Sequence, residues 1–215
     1  MSAPAEPRIL NLAGLRLPVR ETMVVLVTTF VLLIDHYHPL ALSVAPELGQ
    51  GIERVVLFGV VPFVSLLLLG ERPIEYGLRL GAWRAGLAIL VAGMAVVTPI
   101  VFLVAGLPDF AAYYHRDTAG VPATIAGNAL NVAAAEFLFR GFLMWTLIRV
   151  AGPMGVVLAT FPFVFTHLGK PELETLSTFF GGIGFGWIAW RTRSVLYGAL
   201  LHAYLISLIV LATST

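Results

Sequence analysis

The sequence predicts an all-α, polytopic membrane protein, a bundle of about seven transmembrane helices forming a single domain over residues 1–215. Three observations carry that expectation. The chain is 59% hydrophobic and only 12% charged, against roughly 45–50% and 25% in soluble domains. Its mean hydropathy is +0.92. Apolar runs near the roughly 20 residues that cross a bilayer recur along its whole length.

The first expected span covers residues 21–41, with Asp35, His36 and His38 making its far end polar. The second covers 51–70 and is followed by a charged loop that continues to Arg84. The third covers 85–106. A polar segment with Asp109, Tyr113, Tyr114, His115, Arg116 and Asp117 comes next. The fourth span, 121–148, opens with Pro122, which a first helical turn tolerates because its missing N–H has no partner there anyway. The fifth, 153–167, contains Pro162, where a kink is expected. The sixth, 172–190, follows the Gly169-Lys170-Pro171 break. The seventh covers 194–212, with Ser194 as its N-cap. Gly182 and Gly186 in the sixth span have the small-xxx-small spacing that lets helix backbones approach closely, read here as an internal helix contact rather than a dimer seam. No internal repeat or linker divides the chain, and no removable signal peptide is expected before the first span.

Charge placement orients this set. With the N-terminus in the cytoplasm, the inner segments hold Arg8, Arg16, Arg20, Arg72, Arg79, Arg84, Arg149, Arg191 and Arg193, and the outer ones only Arg54, Arg116 and Lys170. Asp35, Glu47, Glu53, Asp109 and Asp117 collect on the outer side. That is the positive-inside pattern and fits a multi-pass protein of a bacterial-type inner membrane. The net charge is +1, so no nucleic-acid footprint is present. The absence of cysteine excludes disulfides, thiolate nucleophiles and Cys-ligated metals. Neither His-Glu-x-x-His nor Gly-x-Ser-x-Gly occurs, and the later spans hold no aspartate for a two-aspartate protease.

The chemistry concentrates around Glu136 and Arg140, one helical turn apart in the fourth span and in the favourable acid-before-base order. A charge at the bilayer centre costs about 2.5–3.5 kcal/mol on insertion scales, so such a pair is expected to face protein and to be used. His167 ends the fifth span and His202 lies inside the seventh. A glutamate and a histidine can hold a water and take its proton. A second histidine can stabilise the oxyanion that forms at an attacked carbonyl. Glu136, His167 and His202 could instead ligate zinc with one position open. The ligand types permit zinc, but nothing in the sequence requires a cofactor.

Together these residues resemble the CPBP family of intramembrane proteases, which includes CAAX prenyl endopeptidases and bacteriocin-processing relatives. Ala135-Glu136-Phe137-Leu138-Phe139-Arg140 matches its Glu-Glu-x-x-x-Arg motif except at the first position. Phe163 to His167 matches Phe-x-x-x-His in full. His202 matches the last histidine, although Ile206 stands where the family carries Asn or Asp. The Arg191-Thr192-Arg193-Ser194 turn is also family-like. The resemblance covers residues 121–212 and implies an endopeptidase acting on a membrane-associated or lipidated peptide beside membrane lipid. In that reading Glu136 and His167 activate water, His202 binds the oxyanion, and Arg140 holds Glu136 ionised and oriented. The family's water-activating position falls on Ala135, so Glu174 is kept as a minor substitute carboxylate, and Ser207 could assist His202 only with altered geometry. A catalytically impaired member acting as a membrane binding or scaffold protein is the alternative. A small transporter or channel subunit is a weaker third, because the early spans are nearly bare of polar groups.

The charge count carries a direct test. In oriented vesicles, the variant Leu168→Cys should react with an impermeant thiol reagent from the outer side. Labelling from the cytoplasmic side alone would reverse the assignment.

Overall fold

The computed structural model describes residues 8–37, 46–117 and 120–214. It is helical apart from a short antiparallel hairpin at its start, in which β1 (Ile9–Leu12) pairs with β2 (Leu15–Pro18). The two-residue turn between them, Ala13-Gly14, has positive φ at both positions (49° and 84°), the combination that matches the twist of a tight hairpin. The hairpin was not anticipated: its four-residue strands read only as apolar patches among arginines.

Helices follow at all seven expected places. They are α1 (Val19–Tyr37); α2 (Pro46–Arg54), continued by a π-helical segment (Val55–Val60) into α3 (Val61–Leu68); α4 (Trp83–Ala105); a short α5 (Pro108–Tyr114); α6 (Val121–Glu136), continued by a second π-helical segment (Phe137–Leu143) into α7 (Met144–Ala151); α8 (Met154–Phe165); α9 (Glu172–Thr192); and α10 (Leu196–Ser214). Length and apolarity support fewer crossings than the seven expected. Among the described residues four helices meet both conditions, Leu48–Leu68, Trp83–Ala105, Val121–Ala151 and Leu196–Ser214. With 12 residues, α8 spans about 18 Å, short of the roughly 30 Å hydrocarbon core. α1 carries Arg20, Glu21 and Asp35, and α9 carries Glu172, Glu174 and Arg191. His38 and the rest of the first expected span lie outside the described residues, as does the side chain of Glu47.

Two residues assigned to an outer loop by the charge pattern belong instead to α2. Glu53 is buried there. Arg54 grips both carboxylate oxygens of Asp35 at 2.8 and 2.9 Å and donates to Asn131 Oδ1 at 3.0 Å, joining α1, α2 and α6.

Small residues set the closest helix approaches. A Cβ on Gly51 would come within 2.5 Å of the Gly127 carbonyl oxygen, so α2 lies directly on α6. Gly182 and Gly186 of α9 face Thr160 and Val156 of α8, whereas Gly181 and Gly184 face open space. The glycine spacing therefore serves an internal contact. Val121–Ala151 is the most buried of the four long helices and runs through the largest apolar cluster, where Phe58, Leu66, Phe139, Phe142 and Phe163 meet. α10 packs against both α4 and α6. Its first turn is capped as expected, with the Leu196 N–H donating to Ser194 Oγ at 3.2 Å.

A polar lock closes one end of the bundle. Glu71 accepts from Arg149 at 2.8 Å, from Arg20 at 3.2 Å and from the Tyr76 hydroxyl at 3.0 Å. Arg20 also pairs with Glu21. Burial alone would raise the Glu71 carboxyl, but the hydrogen bond and charge of Arg149, with the hydrogen bonds from Tyr76 and Arg20, outweigh it and hold the group below its ordinary 4.5. Burial, aided by the neighbouring carboxylate, pushes the Tyr76 phenol up to about 12.

Two predictions follow from packing and charge. Gly182→Leu, which drives a side chain into Thr160, should destabilise the detergent-solubilised protein by about 1–3 kcal/mol, while Gly184→Leu should be close to neutral in the same unfolding assay. The depressed Glu71 contributes stability that is present above its unfolded pKa and lost as pH falls through the folded one, and the raised Tyr76 contributes stability that is lost as pH climbs from about 10 toward 12. Glu71→Gln should therefore flatten the acid limb of a melting-temperature profile measured against pH.

Candidate active site

Glu136 is the last residue of α6 and is fully buried, and Arg140 lies in the following π-helical segment with 2% exposure. Arg140 Nη1 lies 3.3 Å from Glu136 Oε1. The same oxygen accepts from His202 Nδ1 of α10 at 2.9 Å. An ionised carboxylate can only accept, so opposite an ionised Glu136 it is Nδ1 that carries the hydrogen, and in that tautomer of the neutral ring Nε2 is bare. The other carboxylate oxygen, Oε2, is buried with no hydrogen-bond partner. On α10, a Cβ added at Gly198 would lie 3.4 Å from it.

Arg140 is held from two further sides. Its guanidinium carbon lies 3.8 Å from the centre of the Phe163 ring, a cation–π contact, and its Nη2 donates to the Gly182 carbonyl at 3.4 Å. α8 thus supplies the ring under the arginine, and α9 supplies a backbone acceptor that a glycine can bring close.

Phe163 also separates the two histidines. Its ring lies edge-on to His167 at 4.7 Å between centroids and to His202 at 6.0 Å. His167 sits in the turn just beyond α8, 7% exposed, and its Nδ1 donates to the Phe163 carbonyl at 3.1 Å. Its backbone carbonyl accepts from Thr175 of α9 at 2.8 Å. Glu136, Arg140 and His202 are therefore in mutual contact through one carboxylate, and His167 joins them through the shared phenylalanine rather than directly. The sequence reading has Glu136 and His167 sharing a water; the imidazole in direct contact with Glu136 in the structure is that of His202.

The remaining expected residues lie away from this contact. Glu174 accepts from the Tyr114 hydroxyl at 2.7 Å and from Lys170 at 2.9 Å, and both partners fix it beside α5. Ile206 is buried in an apolar cluster with Val101, Phe110, Tyr114 and Val132, the environment that its side chain calls for and an amide would not tolerate. Ala135 packs beside the main apolar cluster. A surface depression lined by Asp109, Tyr113, Gly169, Lys170 and Glu172 lies near His167 and does not include Glu136 or His202. Among the described residues no group of three or more His, Cys, Asp or Glu is arranged to hold a metal ion.

Two participants escaped the sequence reading. Phe185 stacks on the His202 ring at 4.9 Å with an interplanar angle of 15°, so the imidazole is fixed in its plane by Phe185 and in its rotation by Glu136. It lies inside the glycine-rich run of α9, where the glycines drew attention and the aromatic did not. Gly198 had a readable signal: it precedes His202 by four residues and so shares its helical face.

Residues 117–206 match the type II CAAX prenyl endopeptidase Rce1-like model. Over these residues the chain is similar to the Rce1-like family. The matched stretch is somewhat less than half of the chain and contains Glu136, Arg140, His167 and His202. It is a protease family, in keeping with the CPBP resemblance of the motifs. Neither the curated proteins nor the solved structures give a match to the chain.

Removing one member of the buried pair tests how it is balanced. Arg140→Leu leaves a carboxylate uncompensated in the core and should cost about 3–5 kcal/mol. The double variant Glu136→Gln with Arg140→Leu should recover a large part of that loss in the same denaturation experiment.

Proposed function

We propose that the protein is an intramembrane endopeptidase that cleaves a membrane-associated or lipidated peptide by water activated at the Glu136–His202 pair. The observation that carries this reading is the 2.9 Å contact that leaves His202 Nε2 bare and Glu136 Oε2 unpartnered in a buried site. The family description favours a peptide bearing a prenyl group near its C-terminus as substrate class.

In this reading His202 Nε2 takes a proton from a water molecule as the water oxygen attacks the scissile carbonyl. Glu136 holds the ring in the required tautomer and stabilises the imidazolium that forms, the role a buried carboxylate plays behind a histidine base. Arg140 keeps Glu136 ionised without meeting the substrate. The imidazolium then returns the proton to the leaving amide nitrogen as the C–N bond breaks. His167, whose Nε2 is also bare because its Nδ1 donates to the Phe163 carbonyl, accepts the second hydrogen of the water and orients it. His202 thus takes the place at Glu136 that the motif order suggested for His167. Exclusion of bulk water around a fully buried carboxylate strengthens each of these contacts.

The test is cleavage of a prenylated C-terminal peptide, with an unlipidated leader peptide in parallel, by the full chain in lipid nanodiscs. His202→Ala and Glu136→Gln should each lower kcat by about 10²–10⁴-fold, and His167→Ala should lower kcat by a smaller factor. Full cleavage by both His202→Ala and Glu136→Gln would end the assignment.

A further inference from the structure

The N-terminal hairpin divides into two chemically different faces. In an antiparallel pair, directly opposed residues share a face and alternate residues change face. The register pairs Leu10 with Leu17 and Leu12 with Leu15, so one face consists of four leucines. The other pairs Ile9 with Pro18 and Asn11 with Arg16. The leucine face is uncovered: Leu10, Leu12 and Leu15 are 49, 58 and 61% exposed. A lone two-stranded hairpin is marginal in water, and four clustered leucines would make it less soluble still.

Its position says what covers it. Strand β2 ends at Pro18 and α1 begins at Val19, while the Val19 N–H donates to the Arg8 carbonyl at 2.8 Å and folds the hairpin against the helix start. α1 itself presents exposed Met23, Leu26 and Phe30, an apolar flank suited to lipid. The hairpin therefore emerges at the membrane border. Arg8 and Arg16, both exposed, sit on it with the charge that anionic headgroups attract.

We propose that the hairpin is an interfacial anchor: its Leu10, Leu12, Leu15 and Leu17 face lies in the headgroup–acyl boundary of the same bilayer, with Arg16 turned toward anionic phosphates. This does not depend on the proteolytic reading, since it needs only that the apolar flank of α1 lies against lipid.

The absence of native cysteine makes the experiment direct. Leu12→Cys and Asn11→Cys, on opposite faces, are each labelled with a nitroxide in the full chain and reconstituted in nanodiscs of phosphatidylcholine with phosphatidylglycerol. Collision with oxygen, which partitions into lipid, is compared with collision with a water-soluble nickel chelate. The oxygen-to-nickel ratio should be several-fold higher at position 12 than at position 11, with position 12 placed about 5–10 Å into the boundary. Adding Arg16→Glu should lower the position 12 ratio in anionic discs and leave it unchanged in pure phosphatidylcholine. Equal, water-like ratios at both positions would overturn the anchor. Dipolar broadening between two labelled chains would overturn it in favour of a contact between copies. A position 12 ratio indifferent to Arg16→Glu in anionic discs would overturn the role given to the charge.

Discussion

The structure depends on burying one carboxylate among helices without leaving it unpartnered. Glu136 is fully buried and among the described residues has two polar partners in contact, an arginine one turn away and a histidine from another helix. Neither would hold it alone, because a single buried ion pair returns its desolvation cost only with further hydrogen bonds and good geometry. The supply of those extra contacts accounts for much of the surrounding sequence. Phe163 gives Arg140 a negative ring face, Gly182 gives it a carbonyl, and Gly186 and Gly198 let α9 and α10 come close enough for the partners to reach.

Helix positions, the ion pair and the internal use of the α9 glycines were legible in sequence because each follows from a local rule: run length, spacing on one face, or small residues at four-residue intervals. The choice between the two histidines was not. Both lie on late apolar segments, and only the tertiary path of α10 across α6 decides that His202 reaches the carboxylate while His167 turns to the Phe163 carbonyl. Phe185 was hidden for the same reason, since one aromatic in an apolar helix has no signature until its neighbour is known. The count of seven crossings is not matched by length and apolarity together, which four described helices meet, because apolarity without length is ambiguous: α8 is hydrophobic throughout but only 12 residues long. The hairpin was missed because its signal is a two-residue turn with Ala13, not Asn or Asp, ahead of the glycine.

Among the described residues the first half of the chain contributes no side chain to the Glu136 contact, yet it shapes the second half. α2 and α3 run alongside α6 and its π-helical continuation, with Gly51 on Gly127, Arg54 on Asn131, and Phe58 6.4 Å from Phe139. α4 supports α10 from the far side, and the Tyr197 hydroxyl donates to the Leu80 carbonyl at 2.9 Å. The Glu136, Arg140 and His202 contact lies within the family-matched stretch, and the bracing comes largely from outside it.

The π-helical segment Phe137–Leu143 ties these parts together in an unobvious way. A stretch bonded i to i+5 accommodates an extra residue compared with the α path between the same ends. Deleting one residue there would let the helix close as uninterrupted α between the same ends, with the residues beyond keeping their phase. Arg149 would then still reach Glu71 while Glu136 stayed beside His202. A deletion in a purely α part of the same helix would instead turn everything beyond it by about 100°, so the π-helical stretch is where this helix can lose a residue without losing the angular relation between its two ends.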